Sequence, residues 1–148
     1  MIRTLTGVVV GLALVMASLC GVAIYWMTAP YQVMTPGIGP ARTVLNGDKT
    51  VTAGGLLLYA PETPICKRLD ARGTMSRAFV DGIIYETPLT QETLAVGECR
   101  DRDQPSSIMV PNTLPRGHVY HVEGSVEFQV NPLRRIVYPF RTEDFIVD

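Results

Sequence analysis

Apolar residues follow two different rhythms along this chain. Over residues 7–27 (GVVVGLALVMASLCGVAIYWM) they run on without a charge. Beyond that they alternate with polar residues, most clearly in HVYHVEGSVEFQV at residues 118–130. A bilayer core about 30 Å thick takes roughly 20 apolar residues to cross as helix, and the first run supplies them. The second rhythm has a period of two. It puts Tyr120, Val122, Val126, Phe128 and Val130 on one face of a strand and His121, Glu123, Ser125, Glu127 and Gln129 on the other, the pattern of a half-buried antiparallel strand with room for a bend at Gly124.

The same reading predicts strands at residues 50–59, 75–80, 83–86, 107–110, 136–140 and 144–147. Asn46-Gly47-Asp48, Asp81-Gly82 and Pro115-Arg116-Gly117 mark turns between them. About seven short strands and no soluble helix indicate a β-sandwich. The roughly 115 residues after the apolar run amount to one domain. The expected organisation is a cytoplasmic tip and transmembrane anchor at 1–29, a linker at 30–42 containing Thr35-Pro36-Gly37-Ile38-Gly39-Pro40, and the sandwich at 43–148.

The apolar run has a rival reading as a cleaved secretory signal, with a cut after Gly21-Val22-Ala23. Its length exceeds the 7–15 residues or so of an ordinary signal core. It also ends in Tyr25-Trp26, residue types that settle at the membrane–water boundary. These features favour an uncleaved anchor. Lipidation at Cys20 is disfavoured by the bulky Leu19 before it, and Cys20 reads as a small apolar helix residue. Arg3 precedes the run and the next charge is Arg42, so the positive-inside rule puts the N-terminus in the cytoplasm and the domain outside, in a bacterial setting the periplasm. Gly7 and Gly11 form a small-xxx-small pair through which helices could associate as a homo-oligomer.

Of the three cysteines, Cys66 and Cys99 lie in the outer domain, where they are expected to form a disulfide. Closing that loop contributes roughly 3–4 kcal/mol. Formal charge is nearly balanced, at −1 overall, which gives no field for nucleic acid. His118 and His121 fall on opposite strand faces and cannot share a metal. Neither GxSxG, HExxH nor a phosphate-cradling glycine loop occurs. Glu98, Asp101 and Asp103 alternate with Arg100 and Arg102, which suits a solvated loop better than a calcium site. Lys67-Arg68 and Arg134-Arg135 are basic pairs that could touch lipid headgroups. No cofactor, metal or catalytic residue is expected.

The stretch VPNTLPRGHVY at residues 110–120 resembles the E–F corner of immunoglobulin-like domains. The resemblance implies an Ig-like antiparallel sandwich in which Leu114, Gly117 and Tyr120 form the corner and the Tyr120 hydroxyl bonds back to backbone. Val122, not cysteine, stands two residues after Tyr120, so the likeness is to the wider Ig-like group and not to antibody domains. The anchor, the corner and Val130-Asn131-Pro132-Leu133-Arg134 are also similar to small membrane-anchored proteins encoded by bacteriophages. The expected fold class is therefore all-β, with one N-terminal transmembrane helix before an Ig-like sandwich. The expected function is a non-enzymatic inner-membrane protein displaying a module for an envelope protein partner. Its candidate contact residues are Arg100 and Arg102 in the 98–105 loop, and Asn131, Arg134 and Arg135 in the 131–135 loop. The alternatives are a periplasmic hydrolase or metal enzyme, and a cleaved, soluble binding module.

Overall fold

A computed structural model of the chain describes residues 2–35 and 41–148; the part of the expected linker from Pro36 to Pro40 lies outside the described residues. Helix α1 (Ile2–Thr28) carries the apolar run. Its segment Thr6–Thr28 has a mean hydropathy of 2.5 and is not buried against the rest of the chain, so it is long and apolar enough to cross a membrane. A signal sequence would meet the same criterion.

The remainder is mostly strand and loop, with one turn of 3-10 helix at Gly47–Lys49. In chain order the strands are β1 (Met34–Thr35), β2 (Ala41–Val44), β3 (Thr50–Val51), β4 (Leu56–Pro61), β5 (Ile65–Lys67), β6 (Arg72–Val80) and β7 (Ile84–Glu86). They continue as β8 (Thr90–Gln91), β9 (Cys99–Arg100), β10 (Ser106–Met109), β11 (Val119–Asn131), β12 (Arg134–Thr142) and β13 (Phe145–Val147). The principal sheet runs β10-β4-β2-β12-β11, with β6 on the far edge of β11 and β7 and β8 beyond β6. Past the end of β12, β11 pairs instead with β13, which carries β3. The β2–β12 and β3–β13 pairs are parallel and the rest antiparallel. This sheet curls into a half-barrel, far enough that Arg77 of β6 donates to the Ser107 carbonyl of β10 at 3.1 Å. A second sheet, β1-β5-β9, contributes Met34 and Ile65 to the same buried cluster as Val126, Phe128 and Phe140.

The alternation read in β11 is present: Tyr120, Val122, Val126 and Phe128 are buried and Val130 is half-buried. The expected strand at residues 50–59 is in fact two. The chain turns at Gly54 (φ +82°), where the Gly55 N–H donates to the Thr52 carbonyl at 2.7 Å, and β3 and β4 go to different partners. An extended piece expected at Tyr31 to Met34 runs into β1, whereas β2, β5, β8 and β9, each of four residues or fewer, were not read from the sequence. Where β12 ends and β13 has yet to begin, the buried Thr142 hydroxyl accepts from the Val122 N–H at 2.8 Å and keeps the β11 ladder satisfied.

Gly124 sits opposite Phe140 of β12 and Arg77 of β6. A Cβ there would lie 2.5 Å from Phe140 Cζ and 2.6 Å from the Ser76 carbonyl oxygen. The Phe140 ring covers the position that a side chain would occupy, so the glycine is demanded by close approach. Gly124→Ala is expected to destabilise the domain by about 1–3 kcal/mol through overpacking, because the carbonyl belongs to a paired strand and cannot withdraw. Denaturant unfolding of the full chain in detergent measures this.

Candidate functional site

Cys66 and Cys99 are directly opposite each other on β5 and β9 and form a disulfide, with Cα atoms 3.9 Å apart. At the corner, the Tyr120 hydroxyl donates to the Pro115 carbonyl at 2.9 Å. Leu114 is buried, and Gly117 adopts φ +74° while its N–H donates to the Val147 carbonyl at 2.7 Å. Asp81 lies beside this corner, 3.3 Å from His118 Nδ1. Burial, followed by the Asp81 carboxylate, pushes the Tyr120 hydroxyl up to about 12.

The two candidate contact loops are used differently. The side-chain amide of Asn131 donates to the Trp26 carbonyl at 2.9 Å, and Arg134 donates to the Ala29 carbonyl. The Arg134 guanidinium also lies 5.5 Å from the centre of the Tyr31 ring. The Trp26 carbonyl is in the last turn of α1, where helical acceptors lack internal partners and a cation nearby is favoured. Ala29 follows the helix, and its carbonyl also accepts from the Tyr31 N–H at 2.9 Å. Tyr138 adds to the clasp, its hydroxyl oxygen accepting from the N–H groups of Val33 (3.2 Å) and Met34 (3.4 Å). Arg135 instead pairs with Glu127 at 2.9 Å on the surface. In the other loop Arg102 is exposed, whereas Arg100 turns inward and donates to Ser106 Oγ at 3.0 Å. His121 lies against Glu123 and Asp144, and the described residues contain no group of three or more metal-ligating side chains.

The inward turn of Arg100 leads to a site that sequence reading missed. A cavity of about 30 Å³, room for roughly two water molecules, lies inside the half-barrel beneath β1, β5 and β9. Arg42, Tyr59, Glu92, Arg100 and Ser106 supply its polar wall, and Met75, Val126 and Phe140 are among its apolar wall residues. Arg42 lies 5.3 Å from the centre of the Phe140 ring, which Tyr59 stacks on from 6.0 Å. Burial pulls the Arg42 guanidinium below its ordinary value; the Tyr59 hydroxyl acts in the opposite sense, and the Arg100 charge lowers it further. An arginine nonetheless remains charged in a protein.

A second, more open space adjoins the cavity along the seam between β6 and β10. It shares Met75, Glu92, Arg100 and Ser106 with the cavity and adds Arg77. Among the described residues, the buried side-chain polar atoms without a partner are Arg42 Nε, Tyr59 Oη and Arg77 Nε, and all three belong to these two spaces. Glu92 does not balance the arginines. One of its oxygens pairs with buried Lys67 at 3.1 Å and the other accepts from the Leu94 N–H. Lys67 is therefore an interior cation, 5.6 Å from the centre of the Phe128 ring, and does not face lipid headgroups. One signal in the sequence pointed here: Arg42 shares strand parity with Val44, which is buried.

Two outcomes follow from these contacts. Because Tyr120 holds its proton more tightly when folded, its contribution is intact below pH about 10 and is lost as pH rises from there towards 12. Tyr120→Phe should flatten that alkaline fall in a plot of Tm against pH, whatever it does to Tm at neutrality. Lys67→Met strands the Glu92 carboxylate in the interior and should cost about 3–5 kcal/mol in denaturant unfolding, most of it recovered when Glu92→Gln is added.

No family model, curated protein or solved structure matches the chain, and the roles given to its residues rest on their chemistry and placement.

Proposed function

We propose that the chain is a single-pass protein of the bacterial inner membrane, anchored by uncleaved α1 with its N-terminus in the cytoplasm, whose periplasmic β-domain binds an envelope protein without catalysing a reaction. The observation that carries this reading is the clasp on the stem. Asn131 and Arg134, at the turn between β11 and β12, donate to the Trp26 carbonyl in the last turn of the helix and to the Ala29 carbonyl just beyond it. A domain that commits its own side chains to capping a helix is matched to a helix that stays in place. The clasp holds the domain against the bilayer surface instead of letting it swing on a tether. Exposed Leu133 at the same turn, whose N–H donates to the Asn131 side chain that holds Trp26, suits a tip that rests in the headgroup layer.

With the 131–135 turn given to the stem, the 98–105 loop and its exposed Arg102 form the surface open to a protein partner. Self-association through the small-residue face of Gly7 and Gly11 belongs to the same proposal. Kinship with Ig-like sandwiches belongs to the proposal too. The Tyr120–Pro115 hydrogen bond supports it, and the curl of the sheet weighs against it. A phage-encoded origin is compatible with the anchor and the corner motif.

Intact-mass measurement of the mature protein should give a chain that retains α1, and protease added from the periplasmic side should remove the β-domain but spare the helix. A mature chain beginning at Ile24 would sink the reading. Photocrosslinking from position 102 in native membranes should capture an envelope protein, and alanine substitutions across residues 98–105 should abolish the capture. Unchanged capture would exclude that loop.

A further inference from the structure

The interior cavity is over-supplied with positive charge and with hydrogen-bond donors. Arg42 and Arg100 line it with the single carboxylate of Glu92, which Lys67, outside the cavity wall, and a backbone N–H already occupy. A guanidinium taken out of water without an acceptor is costly, and a second guanidinium nearby raises the cost. Tyr59 is 2% exposed and its hydroxyl has no partner, although it lines the same cavity as the unpartnered Arg42 Nε. Buried polar groups in native proteins are nearly always satisfied, so donors gathered at one place mark an acceptor that belongs there. Water can accept from them, but it cannot neutralise the charge.

We infer that this cavity is a binding site for a small monocarboxylate, its oxygens held by Arg42, Arg100 and Tyr59 and its short apolar body packed against Met75, Val126 and Phe140. Size and wall chemistry select this class. The space admits a group of about two water molecules' size, as a carboxylate head is, and excludes a nucleotide or a sugar phosphate. Arginine presents its N–H groups in a planar fork that matches a carboxylate. The rest of the wall is apolar and includes Met34 and Met75, whose flexible side chains can shift to admit a few carbon atoms. The way in is the seam between β6 and β10, where Arg77 bonds the Ser107 carbonyl at 3.1 Å and Thr90 Oγ1 at 3.3 Å while its Nε is unpartnered. A third guanidinium at the entrance draws an anion toward the first two. This assignment is independent of the membrane reading, since every residue it uses lies in the β-domain.

Calorimetric titration and thermal unfolding of the full chain in detergent, with butyrate as probe, test the site. Butyrate should bind saturably and raise Tm, whereas butyramide, of the same shape without the charge, should do neither. Arg42→Gln should weaken butyrate binding at least about tenfold, the loss of one charged hydrogen bond. Tyr59→Phe serves as the variant that keeps the fold: it removes an unpaired hydroxyl and retains the ring. It should leave Tm without ligand unchanged or higher and weaken butyrate binding about three- to tenfold. The inference is overturned if butyrate shows no saturable binding, if butyramide binds as well, or if Tyr59→Phe and Arg42→Gln bind butyrate like the wild type. Inorganic phosphate binding more tightly than butyrate would overturn the carboxylate assignment.

Discussion

Strand β11 is where the domain's long-range order is set, because three other strands take their register from its two edges. Along one edge β6 follows it from His121 to Gln129. Along the other, β12 follows it from Glu123 to Asn131 and β13 takes over at Val119 and Tyr120. A strand paired on both edges over this length can slip by one residue only by turning Tyr120, Val122, Val126 and Phe128 out of the core. The β11–β12 register shifts between Gln129 and Asn131, and two other places where the ladder could fail are filled. Gly124 admits the Phe140 ring, and the Thr142 hydroxyl stands in for backbone between β12 and β13. The turn at the far end of the same hairpin then carries Asn131 and Arg134 to the helix. Stem, corner and core are thus tied to a single backbone segment.

The curl of the sheet has a second consequence. A twisted sheet that bends toward closure brings its first and last strands together without pairing them, and the gap must be bridged by side chains. Here Arg77 makes that bridge. The small β1-β5-β9 sheet closes over the concave face and packs Met34 and Ile65 into the core beneath it. The Cys66–Cys99 bond joins two of the three lid strands, which as two- or three-residue strands have little ladder of their own. The lid brings in the charged side chains of Lys67 and Arg100 beside apolar Met34 and Ile65, and the half-barrel adds Arg42, Tyr59 and Ser106, so polar groups reach the interior from both sides.

What could be read in the sequence follows from this arrangement. The apolar run and the alternation in β11 were legible because each buries or exposes one face along its whole length. The hydrogen bond from the Tyr120 hydroxyl to backbone was suggested by the likeness of residues 110–120 to an Ig-like corner, and it runs to the Pro115 carbonyl five residues upstream. The two cysteines were legible because few other pairings existed. The lid was not: β5 and β9 hold Lys67 and Arg100, residues whose ordinary place is the surface, and three-residue strands show no period. The break at Gly54 was signalled by Ala53-Gly54-Gly55 but hidden inside a stretch of strand-forming residues. The cavity draws Arg42, Tyr59, Glu92, Arg100 and Ser106 from five separate stretches. Parity could aim Arg42 inward, but no local pattern states that four other polar groups converge on it.

The stem and the cavity are in physical contact through β1. Met34 is part of the cavity wall, and its N–H and that of Val33 are held by the Tyr138 hydroxyl from β12. The preceding residues run through Tyr31, against which Arg134 is placed, to Ala29, whose carbonyl Arg134 also holds. Any occupant of the cavity that requires Met34 in position therefore binds better when the stem is seated. By linkage, it stabilises the seated stem by the same free energy. The size of that coupling is limited by what Met34 contributes, since its flexible side chain can yield without moving the backbone. A route from cavity to helix that passes through two backbone N–H groups and one tyrosine hydroxyl is short, and it stays within one continuous stretch of chain packed on a single strand.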